Sequence, residues 1–490
     1  MTASFDASLV QRLRNRSTLL TPAQMARADA DAIAMGHSGS DLMAAAGRAV
    51  ARAVMRHEER AAVLVLAGHG NNGGDGYIVA RLLQQQGWPV RLAALMPPKP
   101  GTDAAVAAAR WSGPMVPFEP AEAERAGLVV DAVFGAGLTR PVGGLVADTL
   151  RAARRIVAID VPSGLDGATG KPMGYAPQAA LTVTFFRLKP GHLLLPGRDL
   201  CGRIELADIG IPDAVLDAIA PTAFANLPGL WQLPRLQADG HKYSRGHVTV
   251  VGGAHMTGAA RLSAEASRRA GAGMVTIAAR GSAATYRSGE PGIIVSEEPI
   301  RALLRDTRRA VWVCGPGLGA DDAGAVFPAL VAAGRQVVAD ADVFSAFSGR
   351  PEALRGAAVL TPHEGEFARV FGSAPDRLEA ARAAAAQTGA VVLLKGSDTV
   401  IAAPDGRAAI NLSAPPSLAT AGAGDVLAGI IAGLLAQGMP AWNAASAGAY
   451  LHGAAAQAAG PGMVVEDLLP TLVRVLCAPT NHTTERRPPL

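Results

Sequence analysis

Two short segments of this sequence carry the residue types of phosphate and nucleotide chemistry. The first, Gly68-His69-Gly70-Asn71-Asn72-Gly73-Gly74-Asp75-Gly76, surrounds two amides and a carboxylate with glycines. Glycines permit positive φ and let backbone N–H groups approach a ligand's phosphates, while Asn and Asp side chains can recognise a ribose or a cation. Glycines alone would fit a plain strand-to-helix turn; the Asn-Asn pair and Asp75 tip the reading towards a site. Gly68, Gly70 and Gly73 also spell G-x-G-x-x-G, but the acidic residue expected about 20 positions further on is missing from Val90–Met96, which argues against an ordinary dinucleotide fingerprint. The second segment, Thr420-Ala421-Gly422-Ala423-Gly424-Asp425, runs into the apolar stretch Leu427–Ala436. Glycines at a helix start form an anion hole from backbone N–H groups, and an adjacent carboxylate can take the proton of an attacking hydroxyl.

Further motifs fall at the expected ends of other strands. Asp131-Ala132-Val133-Phe134-Gly135-Ala136-Gly137-Leu138 and Asp160-Val161-Pro162-Ser163-Gly164-Leu165-Asp166 accompany the first segment. Ligands of open parallel sheets bind outside the carboxyl ends of strands, so three such motifs can face one crevice. Gly252–Ala260, Cys314–Gly319, Asp340-Ala341-Asp342, Thr361-Pro362-His363-Glu364-Gly365-Glu366 and Lys395-Gly396-Ser397-Asp398-Thr399 accompany the second.

The elements that must position these residues follow from periodicity and punctuation. Thr21-Pro22-Ala23-Gln24 predicts an N-cap, a proline at the first helical position and a capping-box glutamine. A helix over Asp41–His57 places Leu42, Ala46, Val50 and Val54 on one face. Strand Ala62–Leu66, helix Gly76–Gln86 and strands Val90–Leu95, Leu128–Val133, Ile156–Asp160, Leu181–Phe186 and Arg203–Ile209 come next. Prolines at 212, 221, 228 and 234 mark a linker over residues 216–235. A second set then begins: strand His247–Val251, helix Gly258–Ala270, strands Met274–Ala278, Val311–Cys314, Gln336–Ala339, Ala358–Leu360 and Val391–Leu394, and a hairpin to Ile410. Helices near Gly424–Gln437, Ala441–Ala459 and Val465–Leu476 end it. Apolar runs joined by helices imply mostly parallel sheets covered on both faces. The expected organisation is α/β throughout, with domains at 15–215 and 236–478 and a frayed tail over 479–490.

Composition bounds the rest. With 490 residues, 49% hydrophobic and 18% charged, the chain has material for two large cores and none of the character of a disordered one. The net charge of +4 is spread over small groups such as Arg301/Arg305/Arg308/Arg309 with no interleaved aromatics, which excludes a nucleic-acid footprint. Cys201, Cys314 and Cys477 lie far apart without metal or redox spacing, and no segment has the length and apolarity of a signal or a membrane span. A cytoplasmic enzyme acting on a small molecule, as a monomer or a homo-oligomer, is the expectation.

The combination GxGNNGGDG, DAxFGxGL and DxPSGLD resembles the NAD(P)H-hydrate epimerase family over roughly residues 15–212. The resemblance implies a Rossmann-like three-layer domain whose substrate site is formed by Asn71, Asn72, Gly73, Gly74 and Asp75, by Gly135, Ala136, Gly137, Leu138, Thr139, Arg140 and Pro141, and by Asp160, the candidate acid/base. It also implies a K+ ion at Asn72, Asp131 and Ser163, whose oxygens suit a hard cation. Leu42-Met43-Ala44-Ala45-Ala46-Gly47 departs from the family's LMENAG. The C-terminal motifs, with His241-Lys242, resemble ADP-dependent NAD(P)H-hydrate dehydratases, a ribokinase-like α/β fold, over roughly residues 228–478. There the resemblance implies that Ala259, Gly317, His363 and the catalytic Asp425 contact the hydrate. Lys395, Gly396, Ser397, Asp398, Thr399 and Gly424 would hold the adenine nucleotide, with ADP as co-substrate and Mg2+ on its phosphates. Glu364 and Ala423 depart from the family's usual residues.

Hydration saturates a reduced nicotinamide ring and leaves it a hydroxyl, a poor leaving group until it is phosphorylated. The dehydratase family acts on the S hydrate, so an epimerase in the same chain delivers the R hydrate to the same repair. One alternative is a small-molecule kinase of the ribokinase-like group with a non-catalytic N-terminal binding domain, which would release a stable phosphorylated product. Retention of Asp75, Asp131 and Asp160 argues against a purely binding N-terminal domain.

Overall fold

In a computed structural model, which describes residues 15–235 and 238–477, the chain forms two compact units that divide between Pro221 and Thr222. The N-terminal domain is built on six parallel strands: β1 (Val63–Ala67), β2 (Val90–Ala94), β3 (Leu128–Ala132), β4 (Ile156–Ile159), β5 (Leu181–Phe185) and β6 (Arg203–Ala207), in the order β2-β1-β3-β4-β5-β6. Every residue of β1, β3, β4 and β5 is buried, as expected of parallel strands covered on both faces. Val63, Val65 and Ala67 join one core while Leu64 and Leu66 join another, so the sheet is the middle of three layers. Helix Pro22–Ala34 begins as expected: Thr21 Oγ1 accepts from Gln24 N at 3.3 Å, and Gln24 Oε1 accepts from Thr21 N at 3.0 Å. Helix Gly39–His57 starts two residues before the expected Asp41, because Ser38 caps it.

Helix Asn71–Gln85 corrects the sequence reading more substantially, since Gly76 was expected to open it. No glycine between 68 and 76 has positive φ. Their role is space: a Cβ on Gly73 would lie 1.9 Å from Gly68 O, on Gly74 2.7 Å from Met43 Sδ, and on Gly76 2.6 Å from Ala132 Cβ. The first helical turns thus sit directly against the end of β1 and on the neighbouring helix. Gly73→Ala has no flexible side chain to displace, so a loss of about 1–3 kcal/mol or more is expected. Denaturant unfolding of the whole chain measures it, and an unchanged transition for the N-terminal domain contradicts the contact.

The C-terminal domain carries β7 (Ala223–Ala225), β8 (His247–Gly252), β9 (Met274–Ala279), β10 (Ile294–Ser296), β11 (Val311–Cys314), β12 (Gln336–Ala339), β13 (Val359–Leu360), β14 (Val391–Leu394), β15 (Val400–Ala402) and β16 (Ala408–Ile410). Their order is β7-β16-β15-β14-β13-β12-β11-β8-β9-β10, with antiparallel pairs only at β14–β15 and β15–β16. Strand β10 was absent from the sequence reading; it is a short edge strand with only three paired positions. Helices Ala423–Ala436 and Thr257–Arg269 pack closely through small residues, since a Cβ on Gly429 would lie 2.2 Å from Ser263 O and one on Gly433 2.5 Å from Ser267 O. Ser263 Oγ donates to Asp425 O at 2.9 Å and fixes the start of the second helix.

The stretch 216–235, expected to be linker, is structured. Helix Val215–Ile219 buries Val215, Leu216 and Ile219 against Leu20, Met25 and Ala28. Strand β7 pairs with β16, and Trp231 is buried with Nε1 donating to Asn226 Oδ1 at 3.0 Å. The prolines bound these elements without breaking them. The expected frayed tail, 479–490, lies outside the described residues. Among the described residues no helix is long and apolar enough to cross a membrane.

Candidate functional site

In the N-terminal domain the carboxyl ends of β1, β3 and β4 open onto a cavity of about 950 Å³. Asn71, Asn72 and Asp75 line it from the helix after β1, Gly135–Pro141 from the loop after β3, and Asp160 from the end of β4. Gly73 and Gly74 instead face inward as packing residues. The strand-end argument therefore brings the three motifs together, while the glycines act through the backbone. Asp29, from helix Pro22–Ala34, and Lys189, which lies in none of the motifs, also line the cavity.

Asp160 occupies left-handed backbone at φ +69°, a region Asp tolerates better than most residues. Its Oδ2 accepts from Ala136 N at 2.8 Å, and its Oδ1 from Thr184 Oγ1 at 3.1 Å and Lys189 Nζ at 2.5 Å. Burial alone would raise its pKa, but the Lys189 ammonium and the hydrogen bonds outweigh burial and bring it to about 2. Asp75 is the opposite case: burial, with the charges of Asp160 and Asp29, pushes it well above the usual carboxylate range. Asp29 is raised to about 6, mainly by burial. Asp160 is held ionised beside Asp75, which resists ionisation, a division suited to proton transfer in both directions.

Asp131, near the end of β3, and Ser163, just after β4, are both fully buried. Asp131 Oδ1 accepts from Ser163 Oγ at 2.6 Å and Val133 N at 3.3 Å, and Oδ2 accepts from Ser163 N at 2.8 Å. Burial raises the Asp131 carboxyl, and these hydrogen bonds oppose it. Asn72 Nδ2 is buried without a hydrogen-bond partner among the described residues. A Cβ on Gly135 would stand 3.0 Å from Asp160 Oδ2 and 3.4 Å from Asn72 Oδ1, so that glycine leaves room between two oxygens of the site.

In the C-terminal domain Gly422, at φ +88°, turns the chain into helix Ala423–Ala436, whose first turn holds Asp425. The intrahelical ladder begins with Val426 N to Gly422 O, so the preceding N–H groups form the helix's positive end. Asp425 is raised to about 6, chiefly by burial and then by Asp340, with Lys395 opposing. Lys395 Nζ donates to Asp340 Oδ1 at 2.8 Å and lies 3.7 Å from Glu366 Oε2. Burial would lower this ammonium, yet the two carboxylates hold it above its usual value. A Cβ on Gly424 would sit 3.3 Å from Lys395 Nζ, so the cation meets the helix start directly.

His363 is the N-cap of helix Glu364–Phe371. Its Nδ1 accepts from Gly365 N at 3.0 Å and Glu366 N at 3.3 Å, while Glu366 Oε2 accepts from His363 N at 2.7 Å. The cap leaves Nε2 as the proton-bearing nitrogen, and the ring is exposed. His363 also bridges to Lys395 across adjacent strand ends. Ala259 and Gly317 meet each other: a Cβ on Gly317 would stand 3.1 Å from Ala259 Cβ and 2.4 Å from Met256 O. In the Lys395–Thr399 loop the side chains of Asp398 and Thr399 act as fasteners. Thr399 Oγ1 donates to Gly396 O at 2.6 Å and accepts from Gly396 N at 3.0 Å, and Asp398 pairs with Arg377 Nε at 3.2 Å. Asp340 and Glu366 sat in noted motifs without assigned roles; their burial around Lys395 emerges only from the fold.

Residues 39–191 match the family described as YjeF-related protein N-terminus, and residues 248–476 match NAD(P)H-hydrate dehydratase. The chain is similar to the bifunctional NAD(P)H-hydrate repair enzyme of Moorella thermoacetica, 39% identical across 89% of this chain and 92% of that one. It is likewise similar to those of Escherichia coli K12, at 36% identity across 84% of each chain, and Coxiella burnetii, at 34% across 91% and 97%.

Proposed function

The chain belongs to the bifunctional NAD(P)H-hydrate repair enzymes, and within that activity we propose that protons move at Asp160 and Asp75 in the N-terminal domain and at Asp425 in the C-terminal one. It epimerises the R and S hydrates of NADH and NADPH and dehydrates the S hydrate with ADP, giving AMP and phosphate. A small-molecule kinase with a non-catalytic N-terminal domain does not account for relatives that match along both domains. The observation that carries the site assignment is the placement of Asp425, at the positive end of a helix, within electrostatic reach of the Lys395–Asp340–Glu366 cluster.

In the dehydratase reading, the hydrate's hydroxyl lies against Asp425, which takes its proton as that oxygen attacks the terminal phosphoryl group of ADP. The helix-start amides of Gly424 and Asp425 receive the charge on the transferring group, and Lys395 holds the remaining phosphates. Phosphate then leaves the ring carbon, assisted by the ring nitrogen's lone pair. Loss of the neighbouring ring proton restores the double bond. Backbone of the Lys395–Thr399 loop cradles the nucleotide, and Ala259, Gly317 and His363 contact the hydrate. Mg2+ would be carried on the ADP phosphates and would neutralise their charge.

In the epimerase reading, the carbon bearing the hydroxyl is also bonded to the ring nitrogen, so the hydroxyl can depart as water and return on the opposite face. Asp160 takes a proton from the returning water, and Asp75, kept protonated, supplies the proton to the departing hydroxyl. Asn71, Asn72 and the Gly135–Pro141 loop hold the substrate. Asn72, Asp131 and Ser163 would hold K+, which would supply fixed positive charge beside the substrate. The buried Asp131 carboxylate, hydrogen-bonded by the neutral donors Ser163 and Val133, fits such a cation. A cytoplasmic location accords with free, buried Cys201 and Cys314.

A pH profile tests Asp425. A base must be unprotonated, so a raised pKa moves the acid limb of kcat/KM for S-hydrate dehydration upward, to about 6. A limb at about 4, the ordinary carboxylate value, contradicts the buried-base assignment.

A further inference from the structure

Lys189 is a buried ammonium that no motif foretold, only 1% exposed although it borders the cavity. It follows β5 in the stretch Leu188-Lys189-Pro190-Gly191-His192-Leu193. Its Nζ donates to Asp160 Oδ1 at 2.5 Å and to Thr184 Oγ1 at 2.8 Å. Its backbone N–H donates to His192 Nδ1 at 2.9 Å, and His192 Nε2 lies 2.9 Å from the Asp160 carbonyl oxygen. An Nδ1 that accepts leaves the proton on Nε2, so His192 donates to that carbonyl. The contacts close a ring through two residues: Asp160 is gripped at the carboxylate by Lys189 and at the main chain by His192. With Oδ1 taken by Lys189 and Thr184, Oδ2 is the oxygen beside Gly135 and Asn72 at the cavity wall.

We propose that Lys189 is the positioning residue of the epimerase site, locking Asp160 through Oδ1 and through His192 so that Oδ2 alone meets the substrate. Stability gives little reason for such a pair, because a buried ion pair is often no better than apolar side chains of the same volume. Orientation gives a direct one. Asp160 stands in left-handed backbone at the end of a strand, and without Lys189 and His192 its carboxylate would keep the two neutral donors Ala136 N and Thr184 Oγ1 but lose its charged partner. A catalytic group holds its reacting atom in place only when its neighbours fix its rotamer.

The inference rests on the epimerase reading, and its test separates the two. Purified R hydrate is incubated with the full chain without ADP, and S hydrate is followed chromatographically. Lys189→Ala is expected to lower epimerisation kcat about 100-fold or more, with KM within about threefold of the parent value. Methylammonium or ethylammonium, entering the vacated space, is expected to restore kcat in a saturable manner. ADP-dependent dehydration of S hydrate by the same preparation serves as a control for the other domain. Thr184→Val removes one donor to Oδ1 and keeps Lys189; it is expected to cost about tenfold in kcat at unchanged KM, and it decides the matter where Lys189→Ala does not fold. A parent chain that does not epimerise overturns the epimerase reading. A parent chain that does, with a folded Lys189→Ala within threefold of it or insensitive to amines, overturns the positioning role, as does parental kcat in Thr184→Val where that variant decides.

Discussion

Asp425→Asn is expected to reduce ADP-dependent dehydration of the S hydrate by about 10²–10⁴-fold, the range for loss of a positioned general base. The substitution preserves shape, and the first helical turn tolerates Asn. Ser263 bonds the residue-425 carbonyl rather than its side chain, so the helix keeps its anchor. The N–H groups of the helix start and the Lys395 ammonium remain in place for ADP. What disappears is the ability to accept a proton. Binding of hydrate and nucleotide should persist, with the loss concentrated in kcat. Removing one of the carboxylates that crowd this site also relieves repulsion, so tighter nucleotide binding is consistent with the assignment, whereas weaker binding is not. Recovery of absorbance at the reduced-nicotinamide band measures the rate, and epimerisation followed without ADP should be untouched. Parental dehydration in Asp425→Asn would remove Asp425 from the chemistry.

Both candidate sites were legible because their residues are concentrated in contiguous motifs at the ends of strands. Asp75, Asp131 and Asp160 could be expected to converge once their strands were recognised as parallel, since strands β1, β3 and β4 lie side by side and bring their carboxyl ends together. The roles inside the motifs were less legible. Gly73 and Gly74 looked like phosphate-loop glycines, and only the fold shows that they admit the close approach of Gly68 O and Met43. Asp398 and Thr399 looked like nucleotide contacts, yet their side chains fasten the loop that carries them. His363 serves both readings at once, because its Nδ1 caps a helix while Nε2 stays exposed. Lys189 and His192 were hidden for a different reason. They stand 29 and 32 positions from Asp160, and the pairing of β5 with β4 brings the two segments together. A lysine set among Leu188, Pro190 and Leu193 directly after a buried strand was the available signal, and it reads equally well as a snorkelling surface residue.

Asp160→Asn is expected to split the two halves of repair: S hydrate should be dehydrated at the parental rate, while R hydrate should convert about 10²–10⁴-fold more slowly. Asn suits the position because it is among the few residues at ease in left-handed backbone, so φ +69° can be retained. It cannot take a proton from water, and its amide nitrogen offers no acceptor to Ala136 N–H or to Lys189. The substitution also strands a buried ammonium, and leaving one partner of a buried pair alone costs about 3–5 kcal/mol. A lower unfolding transition for the N-terminal domain is therefore expected as well, which makes activity alone an insufficient readout. Adding Lys189→Met to Asp160→Asn removes the stranded charge and should return much of the lost stability while returning none of the epimerisation. A double variant that regained both would mean that Asp160 had served the fold and not the reaction. R hydrate repaired at the parental rate by Asp160→Asn would exclude Asp160 as the base outright, leaving Asp29 and Asp75 as the carboxylates that line the same cavity.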